Sequence, residues 1–490
     1  MSGPRSIAIV GNGLGAALAA AMLAVRTKDS ARIMVLPGGD DAHGLGPVGA
    51  TIATRPAFRA VLAELGLAED AVLAATSGAF SLGQAFSGWR GAAHGWMLPH
   101  GDIGAPIGSV AFHHLLHRWR SEGHRATPAD FAIAAVAAQS DRFARPDDDP
   151  ASPLSALDHG LTFDSDRLAT LFRRQAMALG VRFDTVPVAE VERQERTRLR
   201  LNDGRIVTGD LFVDLTGAQA LLAAGHGWQD WRRWFPCDRA LVGVARDPQP
   251  PMPFTHGGAT ATGWRSSVAI DGARGDVLFV ASAFGSRDAA ARDLALPVLD
   301  EMPVRAGRCE RFWDGDVVAM GAAAAGIDPL HPVALDLLAA GVERLLALFP
   351  ERAHEPLLAA EYDRRMGAMV ERTRDFALLH YALADRPEPM WRAVADTPLP
   401  DGAAWKLDQY RSRGRISRLD DERFADGEWA MFFDANGVVA ERRDALSDHL
   451  PPERLERHFA RLREAIVHSV LAMPTHGTAL RAIHDRRQAS

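Results

Sequence analysis

The feature that most constrains this chain lies within its first 36 residues. Residues 5–10 (RSIAIV) form a short, β-branched apolar run of the kind that makes a buried strand. Gly11, Gly13 and Ala16 follow as G-x-G-x-x-A, Leu14 to Val25 is an Ala-rich helical stretch, and RIMVL (32–36) is a second strand. A strand, a glycine turn and a helix followed by a parallel strand make a dinucleotide-binding unit. Gly11 permits the tight turn, Gly13 lets the backbone approach a pyrophosphate, and Ala16 keeps helix and strand close while the helix N-terminus faces the phosphates. The pattern predicts a ribose-binding acid at the end of the second strand, but the chain reads Leu36-Pro37-Gly38-Gly39-Asp40-Asp41 there. The ribose contact is therefore expected from the loop, from Asp40 or Asp41.

A second signature favours a flavin over a nicotinamide. In GRIVTGDLFVDLTG (204–217) a strand ends in Thr216-Gly217, where a glycine allows close backbone approach to a dinucleotide. Other enzyme classes find less support. No G-x-S-x-G elbow for a serine hydrolase occurs. His113, His114 and His117 have helical spacing but no partner acid or cysteine at motif spacing, so they predict an amphipathic helix and no metal site.

The whole chain sets bounds. Its 490 residues call for two or three structural units. A net charge of −7 argues against nucleic-acid binding through counterion release. Two distant cysteines, Cys237 and Cys309, fit a reducing, cytoplasmic setting. The first apolar stretch is broken by Gly11, Asn12 and Gly13, so neither a signal peptide nor a membrane span is expected. Segment 144–153 (ARPDDDPASP) reads as a loop.

Further blocks, in order, are FSLGQAFSGW (80–89), GLTFDSDRLATLFRRQAMALGV (160–181, with Asp164 as a helix N-cap), FPCDRALV (235–242), GAAAAGIDPLHPVALDLL (321–338), RDFALLHYALADRPEPMW (374–391) and MPTHGTAL (473–480). Together with the N-terminal fingerprint they resemble the flavin-dependent tryptophan halogenase family over nearly the whole chain. The resemblance implies reduced FAD delivered by a separate flavin reductase, oxygen, a halide and a small aromatic substrate such as an indole. A second copy of the chain is a further candidate partner. It also implies a cofactor and halide loop around Asp328, Pro329, Val333 and Ala334, with Pro332 removing one amide donor. The family's catalytic lysine falls on Ser81 and its glutamate on His331; no lysine occurs in residues 29–400. The tunnel motif W-x-W-x-I-P falls on Trp264-Arg265-Ser266-Ser267-Val268-Ala269, which keeps only the first tryptophan. Trp89 and Trp264 are the substrate-contacting candidates among the eleven tryptophans. Two readings follow: a divergent oxidoreductase with His331 as general acid or base, or a non-catalytic flavin- or ligand-binding paralogue.

The expected fold class is α/β: an FAD-binding, doubly wound nucleotide-binding unit with a mixed-sheet substrate region and a mainly helical C-terminal part. Residues 1–40, about 155–220 and about 310–345 should assemble the nucleotide-binding sheet, while 50–145 and 225–300 supply the substrate-facing segments. Residues 1–345 form the first expected domain and 346–490 the helical cover, where Leu337 to Leu348 and Leu455 to Val470 carry helical spacing.

Overall fold

In the computed structural model the fingerprint segment forms the strand Arg5–Gly11, the helix Gly13–Thr27 and the strand Ala31–Leu36. The structure describes residues 5–247, 249–349 and 355–489, without the side chains of 29 and 484–489. The first strand is the centre of a six-stranded sheet ordered Trp313–Asp314, Val317–Ala319, Leu211–Leu215, Arg5–Gly11, Ala31–Leu36, Arg182–Phe183. All neighbours are parallel except the first pair. Ile9 lies level with Val213 on one side and Val35 on the other, which explains why these strands read as unbroken apolar runs: both faces are covered. The helices Gly13–Thr27, Ser165–Ala178 and Ala334–Ala347 pack on one face. Asp164 caps the second of them by accepting from Arg167 N at 2.9 Å.

The segments between these strands build a second, seven-stranded sheet: Asp300–Pro303, Arg239–Arg246, Ala273–Val280, Gly263–Ile270, Thr255–Thr260, Gly83–Gly88, Gly91–Pro99. Its neighbours are antiparallel save for Thr255–Thr260, which runs parallel to Gly83–Gly88 and joins two distant parts of the chain. The non-contiguous assembly and the mixed sheet are both as the order of motifs implied.

After Gly326 the described residues contain helices and no strand. The helix Ala334–Ala347 runs through position 345. The long helix Pro356–Ala382 is buried along its second half, from Thr373 to Tyr381. It lies against the sheet edge at Trp313–Asp314 and against the helix Asp401–Arg413. Among the described residues no helix is long and apolar enough to cross a membrane.

Candidate functional site

The crevice at the carboxyl ends of the parallel strands is where a doubly wound sheet takes a dinucleotide. Gly11 pairs with Leu215, and a Cβ on Gly11 would stand 2.5 Å from the Leu215 carbonyl oxygen, so only glycine fits that approach. Gly13 opens the helix at φ +59°, Ala16 is buried beneath it, and Gly217 turns the chain directly after the strand Leu211–Leu215.

Over this crevice lies the chain's own loop. Asn12 Nδ2 donates to the carbonyls of Gly38 and Gly39 at 3.1 and 3.0 Å. The Asp41 carboxylate accepts from the amides of His43, Gly44 and Gly46 at 2.9, 2.8 and 2.8 Å. So fixed, the loop brings the Ala42 carbonyl oxygen to 2.0 Å from where a Gly13 Cβ would be. His43 then takes the amides of the helix N-terminus: Gly15 N donates to its carbonyl at 2.9 Å and Leu14 N to its Nδ1 at 3.4 Å. Burial holds the His43 imidazole below its ordinary range. Asp40 points away from this seat, and its carboxylate accepts from Gln219 at the surface.

Beyond the loop, a cleft of about 630 Å³, including the open space at its mouth, is lined by Pro47, Val48, Gln84, Phe279, His331 and Ala334 among others. It adjoins a larger cavity of about 980 Å³, with Pro47, Val48, Pro329, His331 and Ala334 common to both. The loop Ile327–Val333 is the shared wall. Asp328 anchors it: its Oδ2 accepts from the Tyr381 hydroxyl at 2.7 Å and from Trp264 Nε1 at 3.3 Å. Burial pushes the Asp328 carboxyl up to about 6, against the pull of those two donors.

The Gln84 amide donates to the Leu330 carbonyl, while its Oε1 has no partner. His331 Nε2 lies 3.0 Å from His380 Nε2, and its Nδ1 is without a partner. Phe86, Phe376 and Phe424 surround the His331 ring at centroid distances of 5.6, 4.9 and 5.1 Å. Burial drives both histidines far below the usual imidazole range, His380 to about 3; the neighbouring His380 and Arg55 depress His331 further. Both rings are therefore neutral at pH 7, and one donates to the other.

Ser81 ends the strand Ala79–Ser81, is buried, and donates its Oγ to the Gly83 carbonyl at 3.0 Å. The chain has two lysines, Lys28 and Lys406, and neither lines the cleft. Lys406 is buried, paired with Glu422 and placed 4.3 Å from the Trp429 ring centroid. The Val333 amide donates to the His331 carbonyl at 2.8 Å, so it is already engaged, and Ala334 begins the following helix.

Trp264 and Trp89 are both fully buried with their indole N–H groups partnered. Trp264 stacks on Phe279 at 4.4 Å, and Trp89 donates to the Gly257 carbonyl at 3.0 Å while packing edge-on to Trp391. Neither is among the residues that line the cleft or the larger cavity; Trp264 stands behind Phe279, which does line the cleft. His113 bonds the Gly414 carbonyl and His114 accepts from Asp444 N, so this helix is used in packing. Among the described residues no three His, Cys, Asp or Glu side chains are placed to hold a metal ion.

Gln84, His43, the part Asp41 plays in folding its own loop and the partnership of His331 with His380 escaped sequence reasoning. The one local signal was Asp41 followed two, three and five residues later by His43, Gly44 and Gly46, a spacing that suits a carboxylate folding a turn onto itself.

Comparison with known proteins identifies the family and the fold. The tryptophan halogenase family model matches residues 6–452. Tryptophan 7-halogenase RebH of Lentzea aerocolonigenes is 27% identical over 438 residues, covering 83% of this chain and 82% of its own. Among solved structures, BrvH, a flavin-dependent halogenase from Brevundimonas sp. BAL3, superposes with a TM-score of 0.92 at 30% identity, over 98% of this chain and 99% of its own. Xcc4156, a flavin-dependent halogenase from Xanthomonas campestris, gives 0.92 at 26% identity over the same shares. The chain has the fold of the flavin-dependent halogenases and belongs to the tryptophan halogenase family.

Proposed function

We propose that this chain is a flavin-binding oxidoreductase of the halogenase family that acts on a small aromatic compound without a lysine-borne halogenating oxidant. The carrying observation is the pair Gln84 and His331. Both line the cleft, both are buried, and each keeps one polar atom without a partner, at Oε1 and Nδ1. Buried polar atoms are nearly always satisfied, so two in one cleft mark a place for a polar, ring-shaped ligand.

The family's cofactor, FAD, fits this site at one end. The cleft has the volume of a ligand pocket and apolar walls from Pro47, Val48 and Phe279. The crevice at the helix N-terminus does not fit the ADP half as the loop stands, because Ala42 and His43 already fill it. Bound flavin, reduced by a separate reductase, would supply the oxygen chemistry. The chain's own residues would bind and move a proton. In a neutral imidazole one ring nitrogen carries the hydrogen: while His331 Nε2 donates to His380, Nδ1 is an acceptor, and a proton taken from a ligand at Nδ1 is balanced by the Nε2 proton passing across the 3.0 Å to His380, which then carries the charge. Gln84 Oε1 offers a fixed acceptor beside it. Phe86, Phe376 and Phe424 exclude water around the pair. Ser81 carries no ammonium and its hydroxyl is turned to Gly83, so it can neither carry nor polarise a hypohalous acid.

The test supplies reduced flavin, oxygen, bromide and a panel of indoles, with products read by mass spectrometry for wild type, His331→Phe and Ser81→Lys. Hydroxylated product from wild type, lost in His331→Phe, is expected. Bromination by wild type would overturn the proposal. A second reading, the non-catalytic paralogue, is favoured by the closed Ser81–Gly83 hydrogen bond; it would show as flavin binding with no organic product from any protein.

A further inference from the structure

The dinucleotide fingerprint and the loop that follows the second strand make conflicting demands on one volume. Segment 38–46 crosses the carboxyl ends of three neighbouring parallel strands. Gly39 abuts the Thr216 carbonyl, and the Gly44 carbonyl abuts Gly321 and accepts from Ala322 N at 3.0 Å. Between these ends Asp41 fills the space against Gly217 and Ala42 fills the space against Gly13. These are the places where a strand–turn–helix unit brings its backbone to a pyrophosphate. The amides that would hold the phosphates, Leu14 N and Gly15 N, are consumed by His43. The charge is also wrong for an anion: residues 37–47 carry Asp40 and Asp41 and no lysine or arginine. The cleft at Gln84 and His331 is left clear by this loop.

Building on the flavin reading above, we propose that this chain takes flavin by its ring end alone, with segment 38–46 standing in for the ADP half. Riboflavin and FMN then bind about as well as FAD. The glycine fingerprint has become an internal docking surface, its helix N-terminus capped by a protein carbonyl and an imidazole instead of a phosphate. Asp41 is the latch, because its carboxylate gathers the amides of His43, Gly44 and Gly46 into the shape that covers the seat.

The experiment titrates the full chain with riboflavin, FMN and FAD by fluorescence quenching. The dissociation constants of FAD and riboflavin should agree within tenfold. FAD tighter than riboflavin by tenfold or more would overturn the inference while leaving the flavin reading intact. If none of the three binds, the flavin reading falls and this inference with it. Asp41→Ala removes the latch and should raise the preference for FAD over riboflavin. An unchanged preference in folded Asp41→Ala protein would also overturn the inference, since the loop would then not be what excludes the ADP half. Should Asp41→Ala fail to fold, the wild-type ratio decides alone.

Discussion

Replacing His380 with phenylalanine removes one half of the neutral histidine pair while keeping a ring in the aromatic cluster formed by Phe86, Trp96, Phe376 and Phe432. Two effects of opposite pH dependence follow. At pH 7.5 the His331 Nε2 atom is left buried without its partner, which costs about 1–3 kcal/mol. On acidification the variant gains ground. His380 titrates near 6.5 when unfolded but only at about 3 when folded, so the unfolded state binds its proton first. The stability this histidine allows is present in full above about pH 6.5 and is lost as pH falls, at about 1.4 kcal/mol per pH unit. By pH 4.5 that penalty is about 2.7 kcal/mol, and the phenylalanine variant escapes it. The raised carboxyls of Asp328, Asp336 and Asp375 favour the folded state as pH falls through about 6, but they are present in both proteins and largely cancel in the difference. Urea denaturation followed by tryptophan fluorescence at half-unit steps from pH 7.5 to 4 should show wild type more stable at neutral pH, with the two curves crossing between about pH 6 and 4. Parallel curves over the whole range would refute the assignment of His380 as a buried, neutral imidazole.

Further perturbations test other parts of the structure. Gly13→Ala places a methyl group at φ +59° and 2.0 Å from the Ala42 carbonyl oxygen, whereas Gly66→Ala meets the same left-handed backbone at φ +69° in open space. Both should lose about 1–2 kcal/mol to backbone strain, and Gly13→Ala should lose clearly more by calorimetry; equal losses would mean that the loop yields freely. Lys406→Met leaves the buried Glu422 carboxylate without its cation and should cost about 3 kcal/mol, because Trp429 and Leu419 still donate to it. Adding Glu422→Gln should recover part of that loss, and a double variant no better than the single would count against the pair.

The parts of this molecule legible in its sequence are those whose signal is local or periodic. The strand at 5–11, the glycine turn and the Ala-rich helix announce themselves within 27 residues, and the N-cap at Asp164 is three residues from the amide it accepts. Ser81 and His331 are singled out only through the order of the motif blocks. Their surroundings were not legible: His331 meets His380 across 49 residues of chain, and Gln84 meets Leu330 across 246. The choice between Asp40 and Asp41 was open in the sequence because the two are adjacent and alike. Backbone direction separates them: one carboxylate is carried outward to Gln219, the other inward to the amides of its own loop. Trp89 and Trp264 illustrate the same limit, since no pattern in the sequence tells an indole that faces a ligand from one whose N–H is already bonded within a wall.

The parallel seam between Thr255–Thr260 and Gly83–Gly88 has a consequence for biosynthesis. A ribosome adding roughly 5–20 residues per second needs on the order of 10–30 s to travel from Gly83–Gly88 to its partner strand Thr255–Thr260. During that interval the hairpin Gly83–Pro99 is complete but presents an unpaired edge, and Phe86 and Trp89 have no wall to enter. The nascent chain thus spends that wait with an apolar segment uncovered. Yield at elevated temperature should therefore follow chaperone supply more closely than the stability of the finished fold.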